Sequence, residues 1–333
     1  MSNTTLTLKH MITGYWTSQA IYVAAKLDLA DKLAGGAKTA AELAADTKTQ
    51  AGALFRLLRA LASVGLFAQQ ADGRFANSPL SEPLQKTTED SQWAMAVMMG
   101  EEHYAAWGEL LYSVQTGQGS FRKVYGEGVF EFLGKHPDQA KVFDAAMTSI
   151  HGGETRLMID AYDFSHCKTL CDVGGGNGRT IAEVLKRQPK LQGVLFDLPH
   201  VVERAKANLQ QAGVSDRCQL VGGNFFEKVD VSADILLMRH IIHDWDDEKC
   251  VAILKNCRTA LNPGGKVLVV ESVVPAGNEP SFVKWLDLTM LVIPEGKERT
   301  AEEYRELFAA AGLKLNRIVR TAGELDVLEA SPT

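Results

Sequence analysis

The chain has 333 residues, 46% hydrophobic and 23% charged, which is material for about two domains and too apolar for long disorder. Its 35 basic and 41 acidic residues leave a formal charge of -6, a surface that repels phosphate backbones and anionic membranes. That balance argues against a nucleic-acid or membrane partner. No apolar run reaches the roughly 20 residues of a spanning helix. Met1-Ser-Asn-Thr-Thr shows no basic segment leading into an apolar one, so no secretory signal is read and a cytoplasmic protein is expected. The five cysteines are scattered without a C-x-x-C pair; free thiols in a reducing compartment explain them, and no metal site is expected.

Apolar residues recur at helical spacing through Ala20, Ile21, Ala24, Leu27, Leu29 and Leu33, and Gly35-Gly36 ends the pattern. Thr39 with Glu42 three residues on forms a capping-box signature. A further helix is expected through Leu54, Leu57, Leu58 and Leu61, ending near Gly65. Two short apolar runs around Asp72-Gly73 predict a hairpin. Helices followed by a small hairpin suggest a winged-helix module. Its candidate recognition segment offers only Arg56 and Arg59, without a basic stripe, so packing against a second subunit is the expected use.

From about Asp90 to Glu154 the pattern stays helical and becomes rich in Met and aromatic residues, Trp107, Phe143 and Met147 among them. Most are expected in the core, but such side chains also suit a pocket for a flat aromatic ligand.

After Lys168, β-rich runs at 169–173, 194–197, 218–221, 235–238 and 266–270 alternate with helical patterns. This alternation predicts an α/β fold, a Rossmann-like doubly wound and mainly parallel sheet. The expected division is a winged-helix-like dimerisation domain over 1–100 and a second domain over 101–333, with a helical segment at about 101–155 and the Rossmann-like core at about 156–333. Ligands in such folds bind at the carboxyl ends of the strands.

The first strand enters Asp172-Val173-Gly174-Gly175-Gly176-Asn177-Gly178, where glycines permit a tight turn and close approach of a ligand to the backbone. Arg179 stands where a dinucleotide fingerprint needs glycine, and no Walker Gly-Lys-Ser/Thr follows. Asp197 closes the second strand about 20 residues on, where an acid can accept from both ribose hydroxyls.

With these residues the chain resembles the class I S-adenosylmethionine-dependent O-methyltransferases of the plant caffeate and hydroxyindole type, with their bacterial small-molecule and antibiotic-tailoring relatives. The resemblance rests on DVGGGNG, FDLPHVV, GGNFF, RHIIHDWDDE, LNPGGKVLVVES and GKERTAEEY in that order, and spans nearly the whole chain. It implies methyl transfer from S-adenosylmethionine, leaving S-adenosylhomocysteine, and a homodimer through the N-terminal module. It implies that Gly174 underlies the methionine part of the cofactor, Asp197 holds the ribose, Asn224 and Phe225 flank the adenine, and Arg239 lies at the cofactor's edge. Many members carry Asp in place of Asn224, whose amide oxygen still accepts a hydrogen bond with less electrostatic help.

A phenol titrates near 10 and needs its proton removed, for which histidine is the natural general base. The resemblance points to His243 as that base and to Glu271 and Glu298 as acids flanking it, one on the second ring nitrogen. His240, one helical turn earlier, is the internal rival, and Asp244 is expected to cap or orient locally. The acceptor is expected to be a small aromatic or phenolic molecule, with Trp107, Phe143, Met147 and Met290 as pocket candidates. Two other readings remain open from sequence: methylation of a ring nitrogen by proximity alone, and a non-catalytic cofactor-binding regulator.

Overall fold

The computed structural model describes residues 3–151 and 153–333. The chain divides into two compact units, Met1–Glu109 with Phe121–Gly152, and Leu110–Ser120 with Gly153–Thr333.

The first unit is helical with a small hairpin. Helix Ala40–Thr47 starts at the expected capping box: Glu42 donates its N–H to the Thr39 hydroxyl, and its carboxylate accepts the Thr39 N–H at 2.6 Å. Helix Ala51–Ser63 buries Leu54, Leu58 and Leu61, three positions on one face. The hairpin pairs Phe67–Gln69 with Phe75–Asn77 around Asp72-Gly73, as read from sequence. The helix expected through Leu33 differs. Gly14–Lys26 stops, Asp28 adopts φ +54°, and a short helix Leu29–Lys32 follows. The left-handed backbone disfavours most L-residues, but here the Asp28 carboxylate accepts from Trp93 Nε1 at 3.1 Å and pairs with Lys86 at 2.7 Å. Those contacts come from distant chain, so local periodicity misses the break.

The second unit is built on a seven-stranded sheet. Its strands are β1 (Thr169–Val173), β2 (Gln192–Asp197), β3 (Cys218–Gly222), β4 (Ala233–Arg239), β5 (Leu261–Glu271), β6 (Leu313–Arg320) and β7 (Asp326–Pro332), in spatial order β6-β7-β5-β4-β1-β2-β3. The first five are parallel; β7 runs antiparallel to both β5 and β6. The sequence reading reached the first five strands and not this closing edge pair. Alternate side chains feed two cores. Cys171, Val173, Phe196, Leu236 and Val269 pack on one face, and Leu170, Leu195, Ile235, Leu237 and Leu268 on the other. Chain order reverses between β1 and β4, so the crevice at their carboxyl ends is where such folds bind ligands. Among the described residues, no helix is long and apolar enough to cross a membrane.

The edge is fastened by one buried carboxylate. Glu329 on β7 accepts from Tyr162 Oη at 2.8 Å and pairs with Lys266 at 2.9 Å and Arg317 at 3.0 Å. Burial alone would push its carboxyl up, but these donors outweigh it and hold it down at about 2. A carboxylate depressed in the folded state stabilises it above the ordinary carboxyl range, and that contribution fades as pH falls toward 2. Replacing Glu329 with Gln is therefore expected to cost about 1 kcal/mol at pH 7, since two of its partners are solvent-exposed. The gap from the native protein should shrink in denaturant titrations between pH 5 and pH 2.

Candidate active site

The turn after β1 is shaped by glycines in positive φ: +73° at Gly174, +56° at Gly176 and +77° at Gly178. The Gly174 N–H donates to Phe196 O at 2.8 Å. A Cβ at Gly174 would lie 2.5 Å from Ile241 and 3.6 Å from Phe225, so three separate segments converge on that backbone. Asp197, at the end of β2, accepts the Gly176 N–H at 2.9 Å and the Leu198 N–H at 2.7 Å through different oxygens. Burial raises its carboxyl above the usual range, against the pull of those two N–H donors. Asp172 is fully buried beneath the same turn. Its Oδ2 has no hydrogen-bond partner, and burial pushes the carboxyl up to about 7, opposed by Arg239 and reinforced by Asp197.

Beyond β4 the chain makes a bend and a single turn of 3-10 helix, Ile242–Asp244. One buried group collects the donors of this segment. Oε1 of Glu271, at the end of β5, accepts the N–H groups of Ile241, Ile242 and His243 at 3.1, 2.6 and 3.1 Å. Its Oε2 accepts from Tyr304 Oη at 2.5 Å. The carbonyls are held from the other side by Arg299, which is 1% exposed. Its guanidinium donates to Ile242 O, Trp245 O and Lys297 O at 3.1, 2.9 and 3.1 Å, and pairs with Asp247 at 2.7 Å.

This frame presents the His243 imidazole, 8% exposed, to three carboxylates. Nδ1 lies 2.7 Å from Glu298 Oε1, and Nε2 lies 3.6 Å from Asp244 Oδ1. Glu298 is itself steadied by its N–H donating to Asp287 at 2.9 Å. Burial pulls the imidazole down, but Asp244, the hydrogen bond to Glu298 and the charge of Glu271 push it up to about 10. Asp244 is raised to about 6 by burial, less the attraction of His243. The coupled group as a whole favours the imidazolium.

Two sequence profiles match this chain: an O-methyltransferase domain over residues 107–314, and an O-methyltransferase dimerisation domain over residues 9–87. A phenazine O-methyltransferase of Lysobacter antibioticus is 46% identical over 98% of this chain and 95% of its own. A 3-amino-4-hydroxybenzoate 4-O-methyltransferase of Streptomyces cremeus is 36% identical over 97% and 89%. The crystal structure of human N-acetylserotonin methyltransferase in complex with S-adenosylmethionine superimposes with a TM-score of 0.90 at 28% identity, covering 100% of this chain and 99% of that one. The chain belongs to the O-methyltransferase family. It is an S-adenosylmethionine-dependent enzyme.

Within this O-methyltransferase the expected residues do not all gather. His243, Glu298 and Glu271 share one cluster, but Glu271 grips backbone N–H groups rather than the imidazole ring. Arg239 donates to Thr155 Oγ1 at 2.7 Å. Asn224 closes a local turn, its Oδ1 accepting the Phe226 N–H at 3.0 Å and its Nδ2 donating to Glu227 at 3.1 Å. Phe225 stacks edge-on with Phe226 and Trp245. His240 is not one helical turn before His243: it sits in a bend at φ +54°, with Nε2 3.2 Å from Glu154 Oε2. Of the pocket candidates, Phe143 and Met147 pack together in the first unit around Ala146, Trp107 ends a helix of that unit, and Met290 is buried in helix Phe282–Val292 of the second. Asp172, Arg299 and Tyr304 went unread. Each stands in a motif already quoted, yet only the fold reveals what it faces.

The loop before Glu298 leaves no room for a larger residue. A Cβ on Gly296 would fall 1.9 Å from His243 O, where the Lys297 N–H already donates at 2.8 Å. Gly296→Ala should displace the imidazole by a fraction of an ångström and lower kcat by about 10- to 100-fold. Steady-state kinetics with a circular-dichroism melt would check this; unaltered kcat would mean the loop yields elsewhere.

Proposed function

We propose that this enzyme methylates a hydroxyl on a small aromatic molecule, with His243 as the general base. The observation that carries the reading is the 2.7 Å contact between His243 Nδ1 and the buried Glu298 carboxylate. A carboxylate there accepts a hydrogen bond from Nδ1–H, leaves the Nε2 lone pair of the neutral ring for the acceptor, and stabilises the imidazolium that forms. The names of the relatives, on a phenazine and on an aminohydroxybenzoate, support an aromatic acceptor.

The residues on the crevice fit S-adenosylmethionine. The turn's backbone is open at Gly176, where a Cβ would meet nothing within 4 Å, and Asp172 keeps an unsatisfied buried oxygen beneath the turn, suited to a cationic amino acid group. Asp197, with each oxygen already taking one N–H, retains lone pairs for two ribose hydroxyls. Phe225 offers a ring for the adenine. Asn224 would accept from the adenine amino group as a second donor on an oxygen already in use. Arg239 would complete the cofactor's edge. When bound, S-adenosylmethionine supplies a methyl group on a sulfonium, already a good leaving group. The protein's part is alignment and removal of one proton. His243 takes the acceptor's hydroxyl proton at Nε2. A base raised toward a phenol's own titration range makes that transfer nearly balanced.

We propose a homodimer through the N-terminal domain, residues 1–100, with methyl transfer over 101–333. Helix Asn3–Ile12 buries no residue, and Leu8, Met11, Ile12 and Trp16 are all more than half exposed. Such an apolar surface is suited to a second copy of the chain.

His243→Ala should lower turnover by about 10² to 10⁴ with folding intact; full activity would favour methylation of a nitrogen that needs no base. The pH profile gives a second check. Because the carboxylates raise the imidazole and a base acts only when deprotonated, kcat/KM should climb from pH 6 through pH 9. Glu298→Gln removes one of the raising contacts, so the rising limb should move to lower pH even as the maximum falls.

A further inference from the structure

The loop that carries Glu298 begins at a residue held against its own backbone preference. Helix Phe282–Val292 ends just before it, and Glu295 sits at φ +66°, a region that disfavours any residue with a Cβ. A glycine is the natural occupant there, yet the neighbouring Gly296 is kept for space instead, since a Cβ on it would fall 1.9 Å from His243 O. Such strain persists where surrounding contacts over-determine it. The Glu295 side chain supplies one: its Oε1 accepts the Gly119 N–H at 3.1 Å. The turn presenting that N–H is stiff. Gly117 donates its N–H to Ser113 O at 2.8 Å, Ser120 donates its N–H to Ser113 Oγ at 3.0 Å, and both serines are fully buried. The fit is close as well as polar, because a Cβ on Gly119 would lie 2.5 Å from Glu295 Cγ.

We infer that Glu295 is a positioning residue, which by gripping Gly119 fixes the start of the loop 295–298 and so holds the Glu298 carboxylate against the His243 imidazole. This rests on the reading of His243 as the base. Each residue after Glu295 is spent on that junction. Gly296 donates its N–H to Met290 O at 3.0 Å, Lys297 donates its N–H to His243 O at 2.8 Å, and Glu298 donates its N–H to Asp287 at 2.9 Å. Glu298 Oε1 then meets His243 Nδ1 at 2.7 Å, inside the protein, where a carboxylate acts strongly on a neighbouring imidazole and a small retreat is felt. The loop has a glycine at its second position, so its path is not stiff by itself; the side chain before that glycine supplies the stiffness. Glu295 has contacts besides the one to Gly119, and a variant that keeps its oxygen but not its charge tells the bond from the charge.

The test is a pH titration of the full-length enzyme labelled with ¹³C in its histidine rings and followed by NMR, the His243 signal being identified by its loss in His243→Gln. The native imidazole should titrate well above the ordinary histidine range. Glu295→Gly relieves the backbone yet removes the grip, and should bring that titration down by about 1 pH unit or more. Glu295→Gln keeps an oxygen for the Gly119 N–H and should move it less than about half as far. Gly119→Ala disturbs the same contact from the other side; it should act like Glu295→Gly, and it covers the case in which that variant does not fold. A purely structural Glu295 would change the melting temperature and leave the His243 titration at its native value. That result, an equal fall in Glu295→Gln and Glu295→Gly, or a native imidazole in the ordinary range overturns the inference. Turnover of His243→Ala reports on the base separately, so the two readings fail independently.

Discussion

The site depends on how a short stretch of backbone, residues 241 to 245, is held. A turn leaving a parallel strand presents several N–H groups and carbonyls with no ladder to satisfy them, and burying them unpaired costs about 1–3 kcal/mol each. One carboxylate answers the donors and one guanidinium the acceptors. Glu271 takes three consecutive N–H groups, and Arg299 takes the carbonyls of Ile242 and Trp245. Both charges are buried, and each has further polar partners, Tyr304 for the one and Asp247 for the other. Buried charges are tolerable only when saturated in this way. The direction in which the imidazole of residue 243 leaves the backbone follows from that saturation.

The ring itself is placed in an acidic neighbourhood. Glu298 and Asp244 approach its two nitrogens, and Glu271 adds charge through the backbone it grips. Such crowding raises the proton affinity of the imidazole and, reciprocally, its cationic form is what makes three carboxylates in one small volume acceptable. A cation bound at the same edge of the sheet pulls the other way. The proposed chemistry, a proton taken from a phenol while a positive sulfonium is consumed, suits a cluster whose charge is balanced only when a cation is present.

The two ends of the crevice are linked by backbone rather than by long side chains. Ile241, one of the residues whose N–H Glu271 holds, is also what a side chain at Gly174 would strike. Moving the turn after β4 therefore alters the floor of the turn after β1. Proposed donor cradle and proposed base are two faces of one packed junction at the point where strand order reverses.

How much of this was legible in the sequence follows from range. The capping box at Thr39, the hairpin at Asp72-Gly73, five parallel strands and the glycine turn depend on neighbours a few residues apart, so composition and spacing carry them. The grouping of His243 with Glu298 came from motifs matched in order, not from any local rule, because 55 residues separate them. Three features needed the tertiary structure. Asp28 breaks a helix because Trp93 and Lys86 reach it from afar; Glu271 serves the backbone instead of the ring because β5 ends beneath the turn; and His240 meets Glu154 only through a left-handed bend that no periodicity signals. Sequence alone determined which chemical groups are available and the order in which elements follow one another along the chain. Which nitrogen, oxygen or N–H each group faces was decided by packing, since hydrogen-bond partners are chosen in space and not along the chain.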